Sequence, residues 1–303
     1  MIAREREDAA PRRFLPELVL VGITILWGGT FLVTKIGLAD SGPLFFVGSR
    51  FAIAAALLAT LSPALLRGWS VRDILAPALI GCTMVAGYAL QTTGLESIPS
   101  SMSAFLTALY VPFVPLLQLV LFRRVPGAMV WAGIVMAFSG LVLLAGPATI
   151  ATLTLGYGEL LSILSALAFA FQILFIGRFA GVVDPRRAAL VQLATVAIGC
   201  YALMPLTGEP LPALTSPLIA CALALGVASA VIQVAMNWGQ AHVAPARATL
   251  IYAAEPVYAG LIGWIAGERF TQFGLVGAVL IVSSVVVSEL KLKRERNRKA
   301  PLL

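Results

Sequence analysis

The feature that most restricts this chain is a succession of ten apolar segments, each about long enough to cross a bilayer. They cover residues 17–38, 43–62, 74–95, 100–122, 128–145, 159–179, 188–205, 217–238, 246–266 and 271–289. One helical crossing needs about 20 predominantly apolar residues. Proline and glycine mark the joints, at Gly42-Pro43, Pro63, Pro99, Pro126-Gly127, Gly146-Pro147, Pro185, Pro205, Pro217, Pro245 and Gly267. Runs of this length exclude an outer-membrane barrel, whose strands alternate in polarity and are about ten residues long. They predict an all-α integral membrane protein.

Composition agrees with the segments. Of 303 residues, 60% are hydrophobic and 12% charged, and the mean hydropathy is +0.96. Soluble domains carry about 45–50% apolar and about 25% charged residues, so ordinary cytosolic enzymes and secreted domains are excluded. Ten spans take about 200 residues and leave about 100 for loops and tails, too few for a sizeable soluble domain. Cys82, Cys200 and Cys221 all lie in apolar segments. Their number is odd and they show no metal-ligand spacing, so they read as small core residues. Residues 1–13 are charged and run directly into the first span. With no small-residue cleavage site behind a short apolar core, this reads as an uncleaved first helix.

The formal charge is +7, from 21 Lys and Arg against 14 Asp and Glu. Its placement argues against nucleic acid as a partner, because the charges sit in short loops and at the two ends. With the N-terminus in the cytoplasm, 18 of the 21 basic residues fall inside, Arg269 falls outside, and Lys35 and Arg50 lie within spans. The longest loops, 146–158 and 206–216, both external, have no basic residue. Cytoplasmic loops carry the excess of Lys and Arg, so this bias predicts ten crossings with both termini inside. The basic tail at 291–299 reads as a topology anchor that touches acidic membrane lipids.

An internal repeat underlies the spans. At an offset of 144, Ala104 meets Ala248, Leu106 meets Leu250, Pro112 meets Pro256, Leu117 meets Leu261, Gly133 meets Gly277 and Ser139 meets Ser283. At an offset of 142, Glu17 meets Glu159, Leu18 meets Leu160 and Leu32 meets Leu174. The Pro and Gly matches weigh most. Five spans per copy is an odd number, so the second copy enters the membrane upside down. Inverted repeats characterise alternating-access transporters, with the site between the halves near the midplane. The expected organisation is a cytoplasmic segment (1–16), a first five-helix repeat (17–145), an external linker (146–158), a second five-helix repeat (159–289) and a basic cytoplasmic tail (290–303).

Trp27-Gly28-Gly29-Thr30-Phe31 followed by Lys35, Arg50 in the second span, Pro112 with Pro256, and Gly267-Glu268-Arg269 form a pattern. It resembles the drug/metabolite transporter superfamily, in its EamA-type ten-helix branch, over roughly residues 17–290. Within the branch the chain is similar to bacterial inner-membrane exporters of aromatic amino acids. The first-half counterpart of Gly267-Glu268-Arg269 is Arg123-Arg124-Val125, and the sixth span has Phe169-Ala170 in place of the Trp-Gly pair. The resemblance implies two five-helix halves around a central cavity. The third, fourth, eighth and ninth spans, with parts of the first and sixth, would enclose it, and the fifth and tenth would pack outside.

Charged side chains inside a bilayer are costly and are functional suspects. Glu255 lies about 14 Å into the ninth span at 1.5 Å per residue, near the midplane. It fits proton coupling, a substrate ammonium, or a structural carboxylate paired with Arg50 or capped by a hydroxyl; the structural reading is preferred. Pro256 removes a backbone bond and predicts a kink there. Arg50 fits a substrate carboxylate, for which Arg is the natural fork, or a packing anchor to carbonyls or Asp40, which is preferred. Lys35, one turn from the outer end of the first span, is placed to snorkel to the interface. His242 is the sole histidine and has no carboxylate cluster beside it, so neither metal nor cofactor is expected.

Stripes of mostly uncharged polar and aromatic side chains recur at helical spacing. They are Trp27, Thr30 and Thr34; Tyr88, Gln91, Thr92 and Leu95; Ser103, Thr107, Tyr110 and Val114; Gln233, Asn237 and Gln240; and Tyr252 with Glu255. A polar stripe on a membrane helix faces protein or water, not hydrocarbon. One stripe serves as interhelical glue, at about 0.6–2 kcal/mol per contact. Five stripes, on helices the resemblance places around a cavity, predict a hydrated pathway. The substrate-binding candidates are Trp27, Thr30, Tyr88, Gln91, Ser103, Thr107, Tyr110, Gln233, Asn237 and Tyr252, with Glu255, Arg50 and Lys35 as coupling or structural charges. Gly133, Gly140, Gly277 and Ala278 read as close-packing positions.

No nucleotide-binding glycine loop occurs, so the chain itself does not burn ATP. The resemblance, with the aromatic and amide stripes, implies secondary export of amino acids, aromatic and other apolar ones favoured, by alternating access from a monomer in a bacterial inner membrane. The alternatives are a multidrug or other small-metabolite exporter of the same fold, and a membrane-embedded enzyme. The last lacks paired carboxylates, a nucleophile set or a metal set, so no enzyme is expected.

Overall fold

The computed structural model describes residues 14–98, 100–123, 125–151, 156–265 and 272–289. The helices are α1 Leu15–Gly37, α2 Pro43–Leu61, α3 Val71–Ser97, α4 Ser100–Thr107, α5 Tyr110–Phe122, α6 Ala128–Ala151, α7 Tyr157–Phe179, α8 Pro185–Thr207, α9 Ser216–Gln240, α10 Pro245–Tyr252, α11 Glu255–Ile265 and α12 Gln272–Glu289, with a short 3-10 turn at Pro63–Leu66. No strand occurs among the described residues. Among the described residues, seven apolar stretches, in α1, α2, α3, α4–α5, α7, α8 and α9, are long enough to cross a membrane. Ala128–Leu144 and Gln272–Ser288 are shorter apolar helices. Three sequence features, Gly267-Glu268-Arg269 and the basic clusters at 1–13 and 291–299, lie outside the described residues.

The ends of the helices follow local chemistry. Ser70 and Asp73 form a reciprocal capping box that starts α3 three residues before the apolar run. Asp184 accepts from the N–H groups of Arg186 (2.9 Å) and Arg187 (3.2 Å), and Pro185 supplies the first turn of α8. That helix therefore also begins three residues earlier than expected, and it runs through Pro205 to Thr207. The N-terminus of α2 has no cap of its own. Glu209, from the loop after α8, accepts from Leu44 N (3.0 Å) and Phe45 N (2.7 Å) instead. In α6 the chain kinks at Gly146, whose φ of +81° suits glycine.

Two expected spans are broken in the middle. The fourth stops at Thr107 and restarts at Tyr110; the ninth stops at Tyr252 and restarts at Glu255. The break in the ninth was expected from Pro256, whereas the one in the fourth was not expected. Both are 3-10 kinks. Leu109 N donates to Leu106 O (3.1 Å) and Val111 N to Ala108 O (3.0 Å). Ala254 N donates to Ile251 O (3.1 Å) and Val257 N to Ala254 O (3.0 Å). Pro112 and Pro256 have no N–H to give to the carbonyls of Ala108 and Tyr252, so a straight α-helix loses its bond at those points.

The helices pack chiefly as α1 with α9 and α11, α3 with α7 and α8, α2 with α8 and α9, α5 and α4 with α7, and α6 with α12. The α6–α12 contact is backbone-close, as expected. A Cβ on Gly140 would stand 2.7 Å from the Gly277 carbonyl oxygen, and one on Gly277 would stand 2.5 Å from that of Gly140. Polarity is inverted relative to a soluble protein. Leu18, Leu32, Ile198, Val231 and Val279 are exposed on the outside, while Ser162, Ser165, Gln172, Gln192 and Thr249 are buried. Large contiguous apolar surfaces of this kind mark contact with a membrane. Cys200 and Cys221 are buried as expected, but Cys82 is exposed. The periodicity of α3 turns it outward, which corrects its reading as a core residue.

Candidate functional site

A cavity lies among α1, α2, α3, α4, α5, α7, α9 and α11. Its lining is Trp27, Thr30, Phe31, Thr34, Arg50, Tyr88, Gln91, Thr92, Leu95, Thr107, Tyr110, Phe169, Gln172, Ile173, Met236 and Glu255. The two helix breaks bring the first residues of α5 and α11, Tyr110 and Glu255, to its wall. There the Tyr110 hydroxyl donates to Glu255 Oε2 at 3.5 Å. Arg50 and Glu255 are the charged residues of the lining.

Arg50 is 4% exposed. Its Nε (3.3 Å) and one Nη (3.0 Å) both donate to Ser229 Oγ on α9. The guanidinium lies 4.8 Å from the ring of Phe51 and 5.2 Å from that of Tyr88, a cation–π setting. Neither Glu255 nor Asp40 lies within 4.0 Å of it, because the ion pairs among the described residues are Arg187–Asp73 and Arg247–Glu17. The preferred structural partners of Arg50, carbonyls or Asp40, are therefore replaced by a serine hydroxyl and two aromatic faces. Asp40 instead accepts from the Thr215 hydroxyl at the start of α9. The expected Glu255–Arg50 pair is likewise corrected: Glu255 is capped by a phenol, the other structural alternative.

The walls are built by aromatic contacts. Tyr88 packs tilted against Phe51 (4.7 Å between centroids) and edge-on to Phe169 (5.0 Å). Gln91 Nε2 donates to Thr107 Oγ1 at 3.2 Å and joins α3 to α4. Thr30 Oγ1 donates to the Trp27 carbonyl oxygen at 2.9 Å. Gln172 Nε2 donates to Met236 Sδ at 3.8 Å and ties α7 to α9.

Of the ten substrate-binding candidates, the structure gathers Trp27, Thr30, Tyr88, Gln91, Thr107 and Tyr110 at this cavity, with Glu255 and Arg50. It places the others elsewhere. Ser103 is buried against Ser162, 3.5 Å away on α7. Tyr252 is fully buried behind Trp27, ring to ring at 5.2 Å, and accepts from Gln240 Nε2 at 2.9 Å. Gln233 and Asn237 both donate to Gln192 Oε1 on α8, at 2.7 and 2.6 Å, and Gln192 returns a bond to Asn237 Oδ1 at 3.1 Å. Lys35 is exposed at the end of α1 and donates to the Ile98 carbonyl oxygen (3.5 Å) where α3 ends. His242 Nδ1 lies 2.9 Å from the Trp238 carbonyl oxygen of its own helix turn. No metal-binding group of side chains occurs among the described residues.

The sequence reading missed Phe31, Phe169, Gln172, Ile173 and Met236 as site residues. Gln172 carried a usable signal, as an amide isolated in the apolar run of α7. The other four are apolar and carried none.

The model of the EamA-like transporter family matches residues 15–146 and 156–290. An uncharacterized transporter of Archaeoglobus fulgidus is 26% identical over 281 residues, which cover 92% of this chain and 87% of that protein. The uncharacterized inner membrane transporter YedA of Escherichia coli K12 is 30% identical over 287 residues, 91% of each. A solved crystal structure, 22% identical, superposes with a TM-score of 0.77 over 92% of this chain and 99% of that one.

Proposed function

This chain belongs to the EamA-like transporter family, and on that premise we propose that it is a secondary exporter of amino acids, with aromatic and other apolar ones favoured. It works as ten crossings of a bacterial inner membrane, in two inverted five-helix halves that rock around the cavity. The observation that carries this reading is the cavity itself. Aromatic rings make its walls, and two opposite charges with a few amides and hydroxyls supply its polar groups. This lining suits an amphipathic zwitterion. The resemblance to the aromatic amino acid exporter YddG points to the same substrates, and the name of YedA supports an inner-membrane site.

The inverted repeat is supported by the packing. The contact of α1 with α9 has its counterpart in α7 with α3, and that of α1 with α11 in α7 with α5. The pairs α2–α8 and α6–α12 exchange their own members. The two 3-10 kinks stand within two residues of matching places in the two halves. Both termini are cytoplasmic by the distribution of Lys and Arg. The protein works as a monomer, without cofactor or nucleic acid, as a transporter and not as an enzyme.

Counterflow in proteoliposomes tests the reading. Vesicles are loaded with one unlabelled amino acid at a time, and entry of labelled phenylalanine or tryptophan is followed with and without a pH gradient. Saturable uptake that needs an internal amino acid is the expected result. No uptake with any amino acid, but uptake of cationic drugs, would replace amino acid export with the multidrug alternative.

A further inference from the structure

We propose that Arg50 and Glu255 form a two-charge clamp that recognises the carboxylate and the ammonium of one zwitterionic substrate. This rests on the amino acid reading above and assigns its selectivity to two residues. An imbalance surrounds Arg50. A guanidinium buried in a membrane protein is costly unless it is paired, and Arg50 is 4% exposed. Its acceptor among the described residues is one neutral oxygen, Ser229 Oγ, which takes Nε and one Nη. That bond fixes one edge of the planar group. The two terminal nitrogens still have N–H donors to give, and they form the fork that meets a carboxylate with two parallel bonds.

Glu255 poses the opposite imbalance in the same cavity. A single long bond from the Tyr110 hydroxyl, at 3.5 Å, reaches it. The two side chains form no direct ion pair, since no Arg50 nitrogen lies within 4.0 Å of a Glu255 oxygen. They are fixed on different helices, α2 and α11. Ser229 holds Arg50 back, and the break before Glu255 sets where α11 starts. A ligand with one charge leaves the other protein charge without a counter-ion, whereas a zwitterion neutralises both. Sites built around specific polar groups reject analogues that lack the matching group, because the protein group is then left unpaired. The side chain of such a substrate would rest among Trp27, Tyr88 and Phe169, which line the same cavity.

The test uses the parent protein first. Labelled phenylalanine counterflow is competed with phenylalanine, with phenethylamine, which lacks the carboxylate, and with 3-phenylpropionate, which lacks the ammonium. Each analogue is expected to compete about tenfold or more weakly than phenylalanine. In Arg50→Gln, phenethylamine is expected to lose its disadvantage while 3-phenylpropionate keeps it; in Glu255→Gln the pattern reverses. The readout is a ratio within one preparation, so lower yield of a variant does not change it. If a variant no longer transports, the same three ligands are ranked by protection against thermal unfolding in detergent. Equal competition by all three in the parent, or ratios that do not move in the variants, would overturn the clamp and leave amino acid transport standing. No phenylalanine counterflow in the parent would remove both.

Discussion

The two broken helices, α4–α5 and α10–α11, share a backbone and differ in chemistry. Each kinks through two short i to i−3 bonds beside a proline, in registers that differ by one or two residues. Each places the first residue of its second helix on the cavity. In the first half that residue is Tyr110, a neutral phenol; in the second it is Glu255, a carboxylate, and the two are hydrogen-bonded. The proline decides where the helix breaks, through its missing donor. The residue at the break decides what the cavity recognises. A duplicated scaffold can thus hold an asymmetric site without changing its backbone.

If this asymmetry is functional, removing the charge from the second break has the largest effect. Glu255→Gln keeps the shape and the ability to accept from Tyr110. Its initial rate of phenylalanine counterflow, per incorporated protein, is expected to fall about tenfold, which corresponds to about 1.4 kcal/mol of lost interaction. A rate equal to the parent would mean that the two breaks do the same work and that the carboxylate is structural. Tyr110→Phe probes the other break. It removes one long hydrogen bond to a charged group, so a fall of about threefold is expected, with expression unchanged. A loss as large as that of Glu255→Gln would instead mean that the pair acts as one unit.

This comparison was only partly legible in the sequence. The hydrophobic runs located the helices to within about three residues, except that α6 continues past the kink at Gly146 to Ala151, and errors at helix starts came from caps such as Asp184 that lie outside the apolar run. Pro256 announced its kink through the backbone bond it removes, beside the conspicuous charge of Glu255. Pro112 did not, since Ala108, Leu109 and Tyr110 suit an unbroken apolar helix, and the proline served only to align the halves. The stripes behaved similarly. Spacing shows that Gln233 and Asn237 share a face, but not which neighbour that face meets. In the structure it meets Gln192 of α8. Arg50 and Glu255 stood out as charges within spans, yet their separation depends on how α2 and α11 are held, and no periodicity in either helix encodes that. Phe31, Ile173 and Met236 were invisible because an apolar cavity wall and an apolar core look alike before the chain is folded.

The smallest expected effect is also the most direct test of the shared backbone. Pro112→Ala and Pro256→Ala each return one N–H, aimed at the carbonyl of Ala108 or Tyr252, and each lets a continuous α-helix compete with the kink. The neighbouring 3-10 bonds, the packing of α7 against α4 and α5, and that of α1 against α10 and α11 still favour the kinked form. Each alanine variant is therefore expected to slow counterflow only about twofold, a shift of about 0.4 kcal/mol. The informative quantity is the match between them. Equal slowing, with the phenylalanine-to-phenethylamine ratio at its parent value, is what a backbone device repeated in both halves requires. If Pro256→Ala alone changes that ratio, the kink before Glu255 also sets the carboxylate's position, and the two breaks differ in geometry as well as in chemistry.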